Sequence, residues 1–273
     1  MHMHHDDRSD TSAAKLYILK RLRRIYVPYL PISIGLIGLY LAMPSFSGSN
    51  RDWGFFTSLT LIPTGSPPAL SVAWTLIHEM MFYCIFLISY FTRYFRFLIA
   101  GWVAAIFLAV VIPWVPGNEI LKVFLAPINL EFIAGMAAAL ALKQISPRWG
   151  LALIASSVCA IIISIADGAA SSESYRVWIG IFFAPLVLGL VLIERLYKLK
   201  PIHWFVILGD ASYAIYLVHN PLRSIAARLV GGTHSWVIGL LACVSVGILV
   251  GLAYHLYFER PALRYLPRLK PRS

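Results

Sequence analysis

The chain has 273 residues, 59% of them apolar and 13% charged, with a mean hydropathy of +0.76. A soluble domain carries roughly 25% charged residues, so this composition excludes an ordinary soluble enzyme and points to a polytopic membrane protein. The net charge of +11 would suit nucleic acid, but the placement of the basic residues excludes that reading.

Residues 1–24 form a basic N-terminal tail. Its first segment, Met1-His-Met-His-His5-Asp-Asp7, carries metal-ligating side chains in a polar run, and no metal or other function is assigned to it. Eight apolar stretches then approach the roughly 17–25 residues that a spanning helix needs. They lie at about 25–43, 70–91, 97–115, 121–142, 150–166, 177–193, 203–222 and 237–258. The expected fold is therefore all-α: one transmembrane bundle over 25–258, closed by a basic tail at 259–273. Pro28 and Pro31 are tolerable near the start of the first helix.

With a cytoplasmic N-terminus and alternating spans, 18 of the 23 Lys and Arg residues fall on the inside. Arg51, Lys122, Arg176, Arg223 and Arg228 are the five outside. That positive-inside bias places both termini in the cytoplasm and reads as topology and anionic-lipid contact, with no nucleic-acid partner. Lys15 to Arg24 is a basic lead-in to a retained helix rather than a cleavable signal. Cys84, Cys159 and Cys243 fall within spans without paired spacing, which predicts buried, inert thiols and no zinc site.

Several ionisable groups sit where apolar residues are expected. Arg21 and Arg24, three apart at the cytoplasmic mouth of the first span, present two guanidinium forks suited to phosphate, or else anchor the helix at the membrane surface. Trp74-Thr-Leu-Ile-His78-Glu79-Met-Met-Phe-Tyr83 puts an acid and an imidazole inside the second stretch. Such groups face a bundle interior or a wet cavity and mark function, or they cross-link helices by hydrogen bonds. Thr75, His78, Glu79 and Phe82 share a helical face, with Tyr83 one turn beyond Glu79.

Glu131, one turn before Gly135, is a further intramembrane carboxylate. Ser212, Tyr216, His219 and Asn220 share a face of the seventh stretch. That stretch runs outward in the inferred topology, so both His219 and Glu79 are expected in the outer half around one polar cavity. An interfacial histidine capping its helix is the plain alternative for His219. Glu259-Arg260-Pro261 reads as an end-of-helix ion pair, and Glu194 and Asp210 as solvated or paired boundary residues.

Taken in order, these stretches resemble the membrane acyltransferase-3 family, which includes bacterial exopolysaccharide and O-antigen O-acetyltransferases. The resemblance rests on Lys20-Arg-Leu-Arg-Arg-Ile-Tyr-Val-Pro-Tyr29, Trp74-Thr-Leu with Glu79 and Phe82-Tyr83, and Leu130-Glu-Phe132 with Gly135. Leu208-Gly-Asp-Ala-Ser-Tyr213 with Tyr216-Leu217 and His219, and Phe258-Glu-Arg-Pro261, complete it. It implies transfer of an acyl group, usually acetyl from acetyl-CoA, to a hydroxyl of a surface glycan or its lipid-linked precursor, at a bacterial inner membrane. The acyl-CoA is a donor substrate, and no tightly bound cofactor is expected. On that reading Arg21 and Arg24 hold the donor phosphates, while Glu79, His219 and His78 are the candidate catalytic groups. Tyr83, Ser212, Tyr216 and Glu131 are accompanying intramembrane polar residues.

The family's usual ten spans open with an arginine and a catalytic histidine that have no counterpart here. The resemblance therefore implies a relative lacking the first two spans, with weak or no activity. A proton-coupled transporter is the alternative from a different class, since intramembrane Glu and His also serve transport.

Overall fold

A computed structural model describes residues 11–43, 52–112, 117–166, 173–198, 200–230 and 236–267, with backbone only for 173–175, 223–230 and 236. Every regular element among them is helical. In chain order they are α1 (Thr11–Ala42), α2 (Phe55–Thr60), α3 (Ala73–Ile88), α4 (Phe95–Val111), α5 (Glu119–Leu125), α6 (Asn129–Ala141), α7 (Gly150–Ala166), α8 (Glu173–Tyr197), α9 (His203–Asp210), α10 (Ser212–Val230), α11 (Trp236–Tyr254) and α12 (Arg260–Tyr265). A 3₁₀ turn, Pro147–Trp149, leads into α7, and a π-helical turn, His255–Glu259, joins α11 to α12. The chain divides into two compact units, Met1–Arg93 with Ile202–Ser273, and Tyr94–Pro201.

In the first unit α1 begins well before its apolar stretch, because the Lys, Arg and Leu residues of 15–24 are good helix formers. Ala14, Tyr17, Ile25, Pro28, Tyr29, Ser33 and Ile37 are buried, and their spacing of three, four and eight marks one inward face. Pro28 and Pro31 lie within this helix and supply no backbone N–H. Carbonyls around them are taken by side chains: Tyr213 donates to the Ile25 carbonyl at 3.2 Å and Tyr254 to that of Pro28 at 2.8 Å.

The last turn of α2 is tied to the same helix. Tyr29 and Ser33 both donate to the Ser58 carbonyl, at 2.6 and 2.9 Å, and Tyr26 donates to that of Thr60. Backbone approach is closest between α10 and α11. A Cβ added to Gly251 would stand 2.5 Å from the Ile215 Cα, so only glycine admits this packing.

In the second unit Pro127 interrupts a run that bends by 41° between α5 and α6. Asn129 repairs the break by donating to the Val123 and Phe124 carbonyls at 2.7 and 3.1 Å. Trp102 of α4 donates to the Phe124 carbonyl at 2.8 Å and stacks on the Phe124 ring at 5.4 Å. The start of α7 meets α8 at Gly150 and Gly189, where an added Cβ would press on the opposing backbone.

Among the described residues, four helical segments are long and apolar enough to cross a membrane: Thr11–Ala42, Pro147–Ala166, Arg176–Tyr197 and Val237–Tyr265. The bent pair Glu119–Leu125 and Asn129–Ala141 makes a fifth when taken as one span, and Ala73–Ile88 and Phe95–Val111 are shorter apolar helices. The stretch at 203–222 is divided at Ala211 into α9 and α10, and α10 runs on past Pro221 to Val230. Many large apolar side chains on these helices face outward, as in a membrane helical protein whose outer surface meets lipid. For the same reason the expectation of buried thiols fails at Cys84 and Cys159, which are exposed. The His-rich segment Met1–Asp7, Arg51, and the basic residues Arg268, Lys270 and Arg272 lie outside the described residues, as do the side chains of Arg223 and Arg228.

Candidate active site

Several polar residues of the first unit converge where the start of α3 meets α10. The Tyr216 hydroxyl on α10 bonds to the Thr75 hydroxyl and donates to the Val72 carbonyl at 2.5 Å. Asn220, one turn further along α10, donates to Ser71, one turn back on the other chain segment. Moving four residues forward on one strand of this pairing moves four back on the other, so the two segments are antiparallel.

Glu79 accepts a hydrogen bond from Tyr83, one turn on. Below them Arg21 of α1 lies over the Tyr83 ring at 5.0 Å and the Tyr17 ring at 5.4 Å. Arg21 is thus drawn inward against α3 by two aromatic faces, an attraction of about 0.5–2 kcal/mol each. Arg24 is exposed, and Arg23 donates to the Pro267 carbonyl at 2.6 Å. The two forks singled out from spacing therefore differ in setting: one is held within the bundle and one is open.

His219 places Nδ1 2.6 Å from the Tyr216 carbonyl. A carbonyl only accepts, so in the neutral ring Nδ1 carries the proton and Nε2 keeps its lone pair. Nε2 has no partner among the described residues. Glu79 lies one turn beyond Thr75 on α3, and His219 one turn beyond Tyr216 on α10. His78 is buried, its ring edge-on to Trp74 at 5.9 Å. Ser212 opens α10 with its side chain exposed, so it does not join the half-buried face that Tyr216 and Asn220 share.

Sequence spacing missed part of this cluster. Tyr213 stands close enough to both Glu79 and Glu259 to interact electrostatically with each. Glu259 is buried, and its partner is His255, whose Nδ1 lies 2.8 Å from Oε2, rather than Arg260, which is exposed. The end-of-helix pair expected from Glu259-Arg260 is therefore replaced by one inside the π turn. The i, i+4 spacing of His255 and Glu259 was the available signal.

Glu131 belongs to the second unit. Its carboxyl group lies over Gly180 of α8, where an added Cβ would come within 2.2 Å of it. Beyond it a cavity of about 570 Å³ opens between α6 and α8, lined by Phe132, Gly135, Ala139, Phe183 and Val187.

This sequence matches the profile of the acyltransferase-3 family, described as an acyltransferase domain, over residues 3–256. The chain belongs to that family. It is also 32% identical over 226 residues to the exopolysaccharide production protein ExoZ of Rhizobium meliloti (strain 1021), covering 76% of this chain and 68% of that protein. No solved structure matches it. An acyltransferase of the membrane is thus the coarse identity, and α3 and α10 of this family member carry imidazole, hydroxyl and carboxyl side chains. Ester formation calls for a base for the attacking hydroxyl.

Proposed function

We propose that the protein is an O-acyltransferase that moves an acyl group, acetyl in the simplest case, from an acyl-CoA to a hydroxyl of a cell-surface polysaccharide or its lipid-linked precursor. The single observation that carries this reading is the α3–α10 pairing, in which Tyr216 bonds Thr75 and its carbonyl holds the His219 ring with Nε2 free. His219 takes the proton of the acceptor hydroxyl as oxygen attacks the thioester carbonyl. The hydroxyls of Thr75 and Tyr216, whose protons go to the Val72 carbonyl and to each other, fix α10 against the start of α3 and so the place of His219 one helical turn on. Glu79, bonded to Tyr83, holds the charge balance of the interior.

The donor enters from the opposite end. Exposed Arg24 and aromatic-bound Arg21 meet its phosphates at the cytoplasmic face, because a guanidinium fork matches a phosphate's two oxygens. This assignment sets the protein in the bacterial inner membrane with eight spans and both termini cytoplasmic, in keeping with the 18-to-5 division of basic residues. In this topology α3 and α4 cross as short helices, and α9 with α10 forms one interrupted span.

Deleting the gene in its host and measuring base-labile acyl esters on the surface polysaccharide tests the reading. Loss of the esters, with polymer still exported and with esters restored by the re-supplied gene, is the expected result. Unchanged acylation with blocked export would favour transport instead.

A further inference from the structure

Tyr83 of α3 joins two groups that the scheme above treats separately. Its hydroxyl donates to the Glu79 carboxyl group one turn back on the same helix, and the Arg21 guanidinium lies over its ring at 5.0 Å. A tyrosine can serve both at once, because its polar atom is at the tip and the face of the ring is a separate surface. Tyr83 is buried, whereas Glu79 and Arg21 are half-buried. Of the three, the packed tyrosine is the least free to move.

The ring is itself held by aromatic packing. Tyr17, one turn before Arg21 on α1, meets Tyr83 edge-on at 6.3 Å and packs against Phe86 and Tyr90 at 5.4 Å each. Arg21 lies over Tyr17 as well, at 5.4 Å, so two rings from two helices decide where its cation stands. Neither ring neutralises it, and among the described residues no carboxylate forms an ion pair with Arg21. A half-buried guanidinium with aromatic partners keeps its full charge for an anion. Glu79 is held at one oxygen: Oε1 accepts from Tyr83, and Oε2 accepts no hydrogen bond among the described residues.

We propose that Tyr83 is a positioning residue with two separable roles: its ring sets Arg21 for the phosphates of the acyl-CoA, and its hydroxyl orients the Glu79 carboxyl group. The inference rests on the acyl-transfer reading. Tyr83 itself touches no substrate, so each role acts through another residue. The ring governs donor binding and therefore KM, whereas the hydroxyl governs a group used after binding and therefore kcat. Phenylalanine keeps the ring and drops the hydroxyl, and leucine drops both.

Purified full-length protein in liposomes is assayed with labelled acetyl-CoA as donor and the host's base-deacylated surface polysaccharide as acceptor. Tyr83→Phe should lower kcat by about 10–100-fold, the loss expected when a hydrogen bond to a charged group goes, at unchanged donor KM. Tyr83→Leu should show that loss and also raise the donor KM by about 3–30-fold. Tyr17→Leu, which removes the other ring, should raise the donor KM in the same way and serves the ring arm if Tyr83→Leu unfolds. Added to Glu79→Gln, Tyr83→Phe should lower kcat no further; added to Arg21→Ala, either leucine variant should raise KM no further. A tyrosine that only packs would lower the thermal midpoint and leave its losses additive in both backgrounds. Additive losses, or wild-type kinetics in Tyr83→Phe, would overturn the assignment while leaving the acyl-transfer reading intact. No labelled ester from wild type would remove both.

Discussion

The hydroxyl of Tyr216 meets the hydroxyl of Thr75 across 141 residues of sequence, and that bond sets the register of α10 against α3. Asn220 meets Ser71 one turn to one side of it, and Glu79 lies on α3 one turn to the other, bonded to the Tyr83 whose ring Arg21 covers.

Glu79→Gln keeps the shape and the hydrogen bond from Tyr83 but removes the charge. Expression and thermal midpoint should hold, since a neutral amide is cheaper than a carboxylate in a bundle interior. Acyl transfer should fall by about 10²-fold or more, as for loss of a proton-handling group. Unchanged transfer would reduce Glu79 to a helix-packing residue.

Arg21 and Arg24 should separate under substitution. Arg24→Ala should weaken acyl-CoA binding by about 1.5–3 kcal/mol, the range for a hydrogen bond to a charged group, and Arg24→Lys should restore only part of it. Arg21→Ala should weaken binding and also lower stability by about 0.5–2 kcal/mol, because it removes the cation that lies over Tyr17 and Tyr83. Equilibrium binding and thermal denaturation measure the two effects; wild-type affinity in the double variant would return both residues to an anchoring role.

Two glycines should respond oppositely to alanine. At Gly251 the new Cβ meets Ile215 backbone at 2.5 Å, and a helix cannot yield there cheaply. Gly251→Ala should cost about 1–3 kcal/mol, the usual penalty of overpacking. At Gly180 the Cβ meets the mobile end of Glu131, so Gly180→Ala should leave stability nearly unchanged and turn the carboxyl group aside. Denaturation curves for the two variants in one detergent compare them directly.

The eight-span topology is tested by reporter fusions. Fusions after Asn50 and Gly232 should report the outside, and those after Arg148 and Ser273 the inside. One reversal would break both the topology and the assignment of donor and acceptor ends.

Much of this site was legible in the sequence because helical spacing is. Thr75, Glu79 and Tyr83 fall four apart, Tyr216 and Asn220 do the same, and an acid in an apolar stretch stands out at once. The partners were not legible. Nothing local says that Tyr216 reaches Thr75, or that Arg21 turns inward while Arg24 stays open, since both depend on contacts between distant helices. Hydropathy also overran the helix ends: 70–91 is mostly apolar, yet α3 stops at Ile88 and starts at Ala73. The unbroken reading of 203–222 failed at Ala211, where Gly209-Asp210, both poor helix formers, end α9. His255 and Glu259 had the right spacing, but the π turn that buries their pair comes from packing against α1 and α10.

The most direct test of the central claim is transfer of a labelled acyl group from acyl-CoA to glycan by the purified protein in liposomes, wild type against His219→Gln. We predict ester-linked label on the glycan with wild type, and a kcat about 10²–10⁴-fold lower at unchanged donor KM in the variant. Equal rates in the two proteins, or no labelled ester from wild type, would contradict the account.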